Sequence, residues 1–163
     1  MIHYIFDLDD TLIIHQNGLL LDYNNIQINH NLKKLLDNCK GECYIYTNGT
    51  LGHAHTIIKK MDIINIFHKI YSRDTLPFMK PDKRSYISVN NDINNIYQNI
   101  DKIYFFDDLL ENCKEAKNHG WITFWINPNC LSKNHYDYID YSFENINTAL
   151  IFLENNNNNI LNE

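Results

Sequence analysis

Residues 3–12, HYIFDLDDTL, decide how the rest of the chain reads. An apolar run, Tyr4-Ile5-Phe6, stops at three carboxylates, Asp7, Asp9 and Asp10, followed by Thr11. A buried strand that ends in clustered acids sets like charges side by side at a sheet edge. That arrangement is costly unless a cation or a reaction needs it.

Outward from that stretch, short apolar runs alternate with helical patterns, as in a parallel sheet covered by helices. Further strands are expected at 42–46, 69–71, 102–106 and 121–126. Helices are expected at 31–38, 53–61, 81–89, 109–119 and 141–153, with Pro81 at a first helical position, Asp82 in its first turn, and Gly120 closing the fourth. Asn17-Gly18 stands between Ile13-Ile14 and Leu19-Leu20-Leu21, which predicts a hairpin flap just after the acidic cluster. No repeat or Pro/Gly/Ser-rich linker divides the chain, so residues 1–154 are expected to form one α/β domain. Residues 155–163, which include the Asn155 to Asn159 homopolymer, read as a disordered, solvated tail.

At 163 residues, 44% hydrophobic and 21% charged, the chain is long enough for one real core. The net charge is -6 and Lys and Arg do not cluster, which argues against an extended nucleic-acid footprint but leaves room for contact with a nucleotide or a strand end. Cys39, Cys43, Cys113 and Cys130 contain no C-x-x-C pair and read as free thiols in a reducing compartment. A strand begins at once, so no targeting peptide is expected, and no apolar run approaches the roughly 20 residues of a membrane span. The expectation is a cytoplasmic protein with no membrane partner.

Three strands end in polar residues: Phe6 into Asp7, Tyr46 into Thr47, Phe106 into Asp107. Ligands of open α/β sheets bind outside the carboxyl ends of the strands, so these tips converge if their strands are neighbours. Carboxylate oxygens suit Mg2+, and Asp7 and Asp107 could share one ion. A carboxylate can then attack phosphorus, while Asp9, two residues on, donates a proton to the leaving oxygen and later activates water. Thr47 offers a hydroxyl and a main-chain N–H to phosphate oxygens, and Lys80 supplies positive charge where negative charge accumulates.

Taken together, Asp7-Leu8-Asp9-Asp10-Thr11, Thr47-Asn48-Gly49, Lys80-Pro81 and Phe106-Asp107-Asp108 resemble the four motifs of the haloacid dehalogenase-like (HAD) phosphohydrolases. The resemblance implies a Rossmannoid three-layer sandwich, Mg2+ dependence and an aspartyl-phosphate intermediate. It implies Asp7 as nucleophile, Asp9 as acid/base, and Thr47, Asn48 and Lys80 as phosphate-binding residues. It also assigns Asp7, the Asp9 main-chain carbonyl and Asp107 to the metal, with Asp108 supporting the site.

The stretches TNGTLGHAHTIIKKMDIINIFHKIYSRD, KPDKRSYISV and FFDDLLENCKEAKNHGW are similar to the pyrimidine 5'-nucleotidase-like branch. That branch carries a large helical cap between the first two motifs; here Asp9 to Thr47 has room for the flap and one helix, hence a minimal cap or none. The expected function is hydrolysis of a phosphomonoester, on a small molecule, a polynucleotide end or a protein. The alternative is a binding or scaffold protein on the same fold. An open site also leaves room for a second copy of the chain to roof it. His53 and His55 read as ordinary residues near the rim of the site, Trp121 and Trp125 as core, and Tyr23 and Phe78 as candidates for a substrate surface. Glu111 and Asn112 read equally as support for the ion or as an exposed helical face, and Asp10 as a turn former.

Overall fold

In the computed structural model, which describes residues 1–15, 22–130 and 136–160, the chain runs β1 (Ile2–Phe6), α1 (His30–Asp37), β2 (Glu42–Tyr46), α2 (Leu51–Lys60), β3 (Phe67–Tyr71), α3 (Lys83–Ile96), β4 (Lys102–Asp107), α4 (Leu110–Asn118), β5 (Ile122–Ile126), β6 (Tyr141–Phe143) and α5 (Ile146–Ile160). The strands form one sheet of order β3-β2-β1-β4-β5-β6, and every pairing is parallel.

Alternate residues of the central strands feed two cores. Tyr4, Phe6, Ile45 and Phe106 face Leu32 and Leu36 of α1, Ile57 and Ile58 of α2, and Ala149 and Leu150 of α5. Ile5, Tyr44, Tyr46 and Phe105 face Tyr86, Val89 and Ile93 of α3, and Cys113 and Ala116 of α4. Burial on both faces is why these strands read as continuous apolar runs. The result is the expected three-layer α/β sandwich. Between β1 and β2 the described residues hold α1 and a 3-10 turn, Tyr23–Asn25, and no cap domain. The core of the predicted flap, residues 16–21, lies outside the described residues.

Local chemistry sets the helix ends. The side chains of Asn29, Thr50 and Asp82 accept main-chain N–H groups of Leu32, His53 and Arg84, and Asn145 accepts that of Thr148. Gly120, at φ 77°, donates to Lys117 O while Trp121 donates to Ala116 O, a Schellman close to α4.

Two expectations need correction. Pro81 lies outside α3: the Lys80–Pro81 peptide is cis, Asp82 is the cap, and the helix runs on past Val89 to Ile96. The predicted last helix, 141–153, is two elements. Tyr141–Phe143 pairs with β5 as an edge strand, and the helix proper starts at Ile146. That helix runs from Ile146 to Ile160.

Among the described residues no helix is long and apolar enough to cross a membrane. Among the described residues no cysteine is in a disulfide.

Candidate active site at the carboxyl edge of the sheet

The register of the sheet brings the acids together. Phe6 lies opposite Ile45 on one side and Phe106 on the other, so Asp7, Tyr46 and Asp107 come level one step further along. Asp7 donates its main-chain N–H to Phe106 O at 2.8 Å, which extends the ladder to the carboxylate itself.

Lys80 arrives from the loop after β3. Its ammonium donates to Asp7 Oδ1 at 2.9 Å and to Asp107 Oδ2 at 2.6 Å. The aromatic faces of Tyr46 and Phe105 lie 5.0 and 5.6 Å from Nζ. Burial alone would lower the lysine's pKa, but the two carboxylates outweigh it and hold the ammonium charged. Asn48 sets the loop: Lys80 N–H donates to Asn48 Oδ1, and Asn48 Nδ2 donates to Lys80 O, both at 2.9 Å.

Each acid is held from behind. Thr11, fully buried, donates to Asp7 Oδ2 at 3.1 Å. Asp107 accepts from Leu109 N–H at 2.9 Å and from Asn112 Nδ2 at 3.0 and 3.1 Å. Trp125 Nε1 donates to Asp108 O at 2.8 Å, so this core tryptophan also fixes the site's backbone. Asp10, at φ 62°, shapes the turn, accepting His15 N–H and donating its own to Ile13 O.

Oxygens of Asp7, Asp107 and Asp108 lie within 4.8 Å of one another, the one group of three or more such ligands among the described residues. Burial pushes the Asp7 carboxyl up to about 7, with Lys80 pulling it down and Asp107 pushing it further up. Burial, then the charge of Asp107, raises Asp108 to about 7. Three carboxylates against one lysine leave a net charge of -2 when all are ionised. Hard oxygen donors with that excess charge fit a divalent cation such as Mg2+.

The carboxylate of Asp9 is engaged by two histidines. It meets His53 Nε2 at 2.9 and 3.0 Å and His15 Nε2 at 2.7 Å. Thr47 is buried at the end of β2, where its hydroxyl accepts Gly49 N–H at 3.0 Å. Its main-chain N–H, expected to face phosphate, instead donates to Tyr71 O and continues the sheet. Asn48 follows Thr47 in the chain, and its carboxamide is engaged by the Lys80 backbone.

Sequence reasoning gave no role to His15 or Thr11, and read His53 as a rim residue and Asn112 as ambiguous. Thr11, four residues after Asp7, was open to local inference; the histidines required knowledge of how the loops fold back. Phe78 lies under the Arg84 guanidinium at 3.6 Å.

Solved structures of HAD-superfamily hydrolases share this architecture, which is therefore the HAD-like fold. The HAD-hydrolase YfnB from Bacillus subtilis, bound to magnesium, is 20% identical over 80% of this chain and 58% of its own, with a TM-score of 0.65. The L-2-haloacid dehalogenase from Xanthobacter autotrophicus with chloropropionic acid covalently bound is 13% identical over 80% and 62%, at 0.61. A HAD phosphatase from Thermococcus onnurineus is 18% identical over 74% and 54%, at 0.58. The chain thus spans less than two thirds of the length of these structures. No protein-family model and no curated protein matches the sequence.

Proposed function

We propose that this chain is a Mg2+-dependent phosphomonoester hydrolase that works through an aspartyl-phosphate on Asp7. The observation that carries the reading is the meeting of Asp7, Lys80 and Asp107 at one sheet edge, with Asp108 in reach of the same ion.

An Asp7 oxygen attacks phosphorus; the bond from phosphorus to the ester oxygen breaks, and its electron pair leaves with that oxygen, which takes a proton from Asp9. Water then attacks phosphorus, gives its proton to Asp9, and displaces the Asp7 carboxylate, releasing inorganic phosphate. Lys80 holds Asp7 by charge and faces the negative charge that builds up on the phosphoryl oxygens. The Thr47 hydroxyl stands at the same edge. Asp7, Asp107 and Asp108, with the Asp9 main-chain carbonyl as the expected further ligand, would hold the cation, which would supply charge that screens the carboxylates from the incoming phosphate.

The acid set favours phosphate ester chemistry over halide displacement. A departing halide needs no proton, so carbon–halogen cleavage has no use for Asp9, and a monoanionic haloacid does not call for a divalent cation. Magnesium on YfnB supports the cation, and the covalent chloropropionic adduct of the dehalogenase supports covalent catalysis on this fold. Between β1 and β2 the described chain has too little to roof the site, which supports a phosphate carried on a bulky molecule, a polynucleotide end or a protein, over a sequestered nucleotide.

The test is hydrolysis of an aryl phosphate with Mg2+. Asp7→Asn should fold and lose turnover, and Asp9→Asn should accumulate one phosphoryl group by intact mass. Full activity in Asp7→Asn, or the group on another residue, overturns the reading. A panel of nucleotides, phosphopeptides, phosphorylated oligonucleotides and 2-haloacids assigns the substrate. Partner binding with no hydrolysis would favour the scaffold alternative.

A further inference from the structure

Asp9 is the one acid of the site whose carboxylate is held by histidines. His53 Nε2 reaches both its oxygens, at 2.9 and 3.0 Å, and His15 Nε2 reaches Oδ1 at 2.7 Å. Behind the ring, the Tyr23 hydroxyl lies 2.5 Å from His53 Nδ1. A carboxylate only accepts, so His53 Nε2 donates to Asp9, and Nδ1 faces the tyrosine hydroxyl.

Two further features place the ring. Thr50 Oγ1 accepts His53 N–H at 3.2 Å, which pins the first turn of α2. Gly49 lies under the imidazole. A Cβ there would stand 2.9 Å from His53 Cδ2, 3.3 Å from Thr47 Oγ1 and 3.7 Å from Asp9 Oδ2. The absence of a side chain at 49 lets the ring descend onto Asp9.

We propose that His53, backed by Tyr23 and seated on Gly49, is a positioning residue that fixes the plane and rotamer of the Asp9 carboxylate for both proton transfers. A lone carboxylate beside the partly open site turns freely about its side-chain torsions; N–H donors on two of its sides leave it one orientation. Proton transfer to a leaving oxygen depends on that orientation, and a displacement of about 1 Å can cost about 100-fold. Tyr23 belongs to the 3-10 turn that follows the flap region, so the bond from Tyr23 to His53 also ties that segment to the acid/base.

The inference rests on the phosphatase reading, and the experiment separates the two. Wild type, Asp7→Asn, His53→Ala, His53→Gln and Tyr23→Phe are assayed with Mg2+ on an aryl phosphate, whose leaving group departs without help, and on an alkyl phosphate, whose leaving group needs a proton. His53→Ala should lower kcat by about 10- to 100-fold on the alkyl ester and much less in the phosphorylation of Asp7 by the aryl ester, with KM within about twofold. Tyr23→Phe should show a smaller loss with the same leaving-group pattern. His53→Gln, whose amide N–H can reach the Nε2 position, should recover most of the rate, and it carries the test if His53→Ala does not fold. Crystals of His53→Ala should show the Asp9 carboxylate in more than one rotamer.

An inactive wild type, or a fully active Asp7→Asn, sinks the phosphatase reading and this inference with it. An active wild type and a dead Asp7→Asn, with His53→Ala slowing the phosphorylation of Asp7 equally on both esters, slowing it on neither, or speeding it, overturn only the role of His53.

Discussion

The carboxamide of Asn48 brackets Lys80, accepting its main-chain N–H and donating to its carbonyl, each at 2.9 Å. A residue at the end of β2 thereby sets where the lysine of a distant loop enters the acid cluster. Asn48→Ala should cost about 1–2 kcal/mol in urea unfolding, because the Lys80 main-chain groups lose their partner. It should cut kcat/KM on an aryl phosphate by about 100-fold as Nζ drifts. Unchanged kinetics would mean that the loop holds Lys80 without Asn48.

Lys80 is the buried countercharge of Asp7 and Asp107, with side chains 1%, 10% and 0% exposed respectively. Lys80→Met strands two carboxylates and should destabilise the cation-free protein by about 3–5 kcal/mol. Mg2+ should raise the Tm of the variant more than that of wild type, since the ion replaces part of the missing charge. Equal Tm increments would show that lysine and cation do not share those carboxylates.

Stability should depend on pH through the same acids. Asp7 and Asp108 titrate near 7 in the cation-free fold against 3.8 for a free side chain. Between those values the folded chain binds more protons than the unfolded one, so their contribution to stability falls as pH rises, down to its full cost above about 7. A cation binds the ionised forms, so the Tm gain from Mg2+ should grow from about pH 5 to about pH 7 and then level off. Differential scanning fluorimetry with and without Mg2+ reads this directly; a gain that shrinks with rising pH would refute it.

His3, fully buried on β1, works in the opposite direction at the other end of the sheet. Its Nδ1 lies 3.3 Å from the Tyr44 hydroxyl, and its Nε2 has no hydrogen-bond partner among the described residues. Burial first, then the N-terminal amine, lowers its pKa below 6.5, with Glu42 opposing. The unfolded chain takes up a proton below about pH 6.5 that the fold resists, so the stability present above that value is lost as pH falls. His3→Phe should flatten the slope of unfolding free energy between about pH 7 and about pH 5.5, by up to about 1.4 kcal/mol per pH unit. An unaltered slope would place the acid sensitivity elsewhere.

The strands were legible because β1, β2, β4 and β5 are buried on both faces and leave uninterrupted apolar runs. β6 was not: Tyr141, Ser142 and Phe143 form a short edge strand, half in solvent, whose apolar residues merge with the helix that follows. The α3 start was misread because proline favours a first helical turn, whereas the Asp82 side chain already closes that turn one residue later. Asn90, Asn91, Asn94 and Asn95, poor helix formers, hid its continuation to Ile96.

By itself the chain determined an alternating α/β order and the acids at its strand ends, because hydrophobic period and abrupt polarity are local properties of sequence. Only the tertiary structure decided which strand lies beside which, and hence that Asp7 and Asp107 come level with Lys80 between them. It alone turned the Thr47 N–H into a sheet bond and carried Tyr23, His15 and His53 to Asp9. Those contacts join residues up to 73 positions apart through loop paths and side-chain directions, for which no short stretch of sequence encodes a signal.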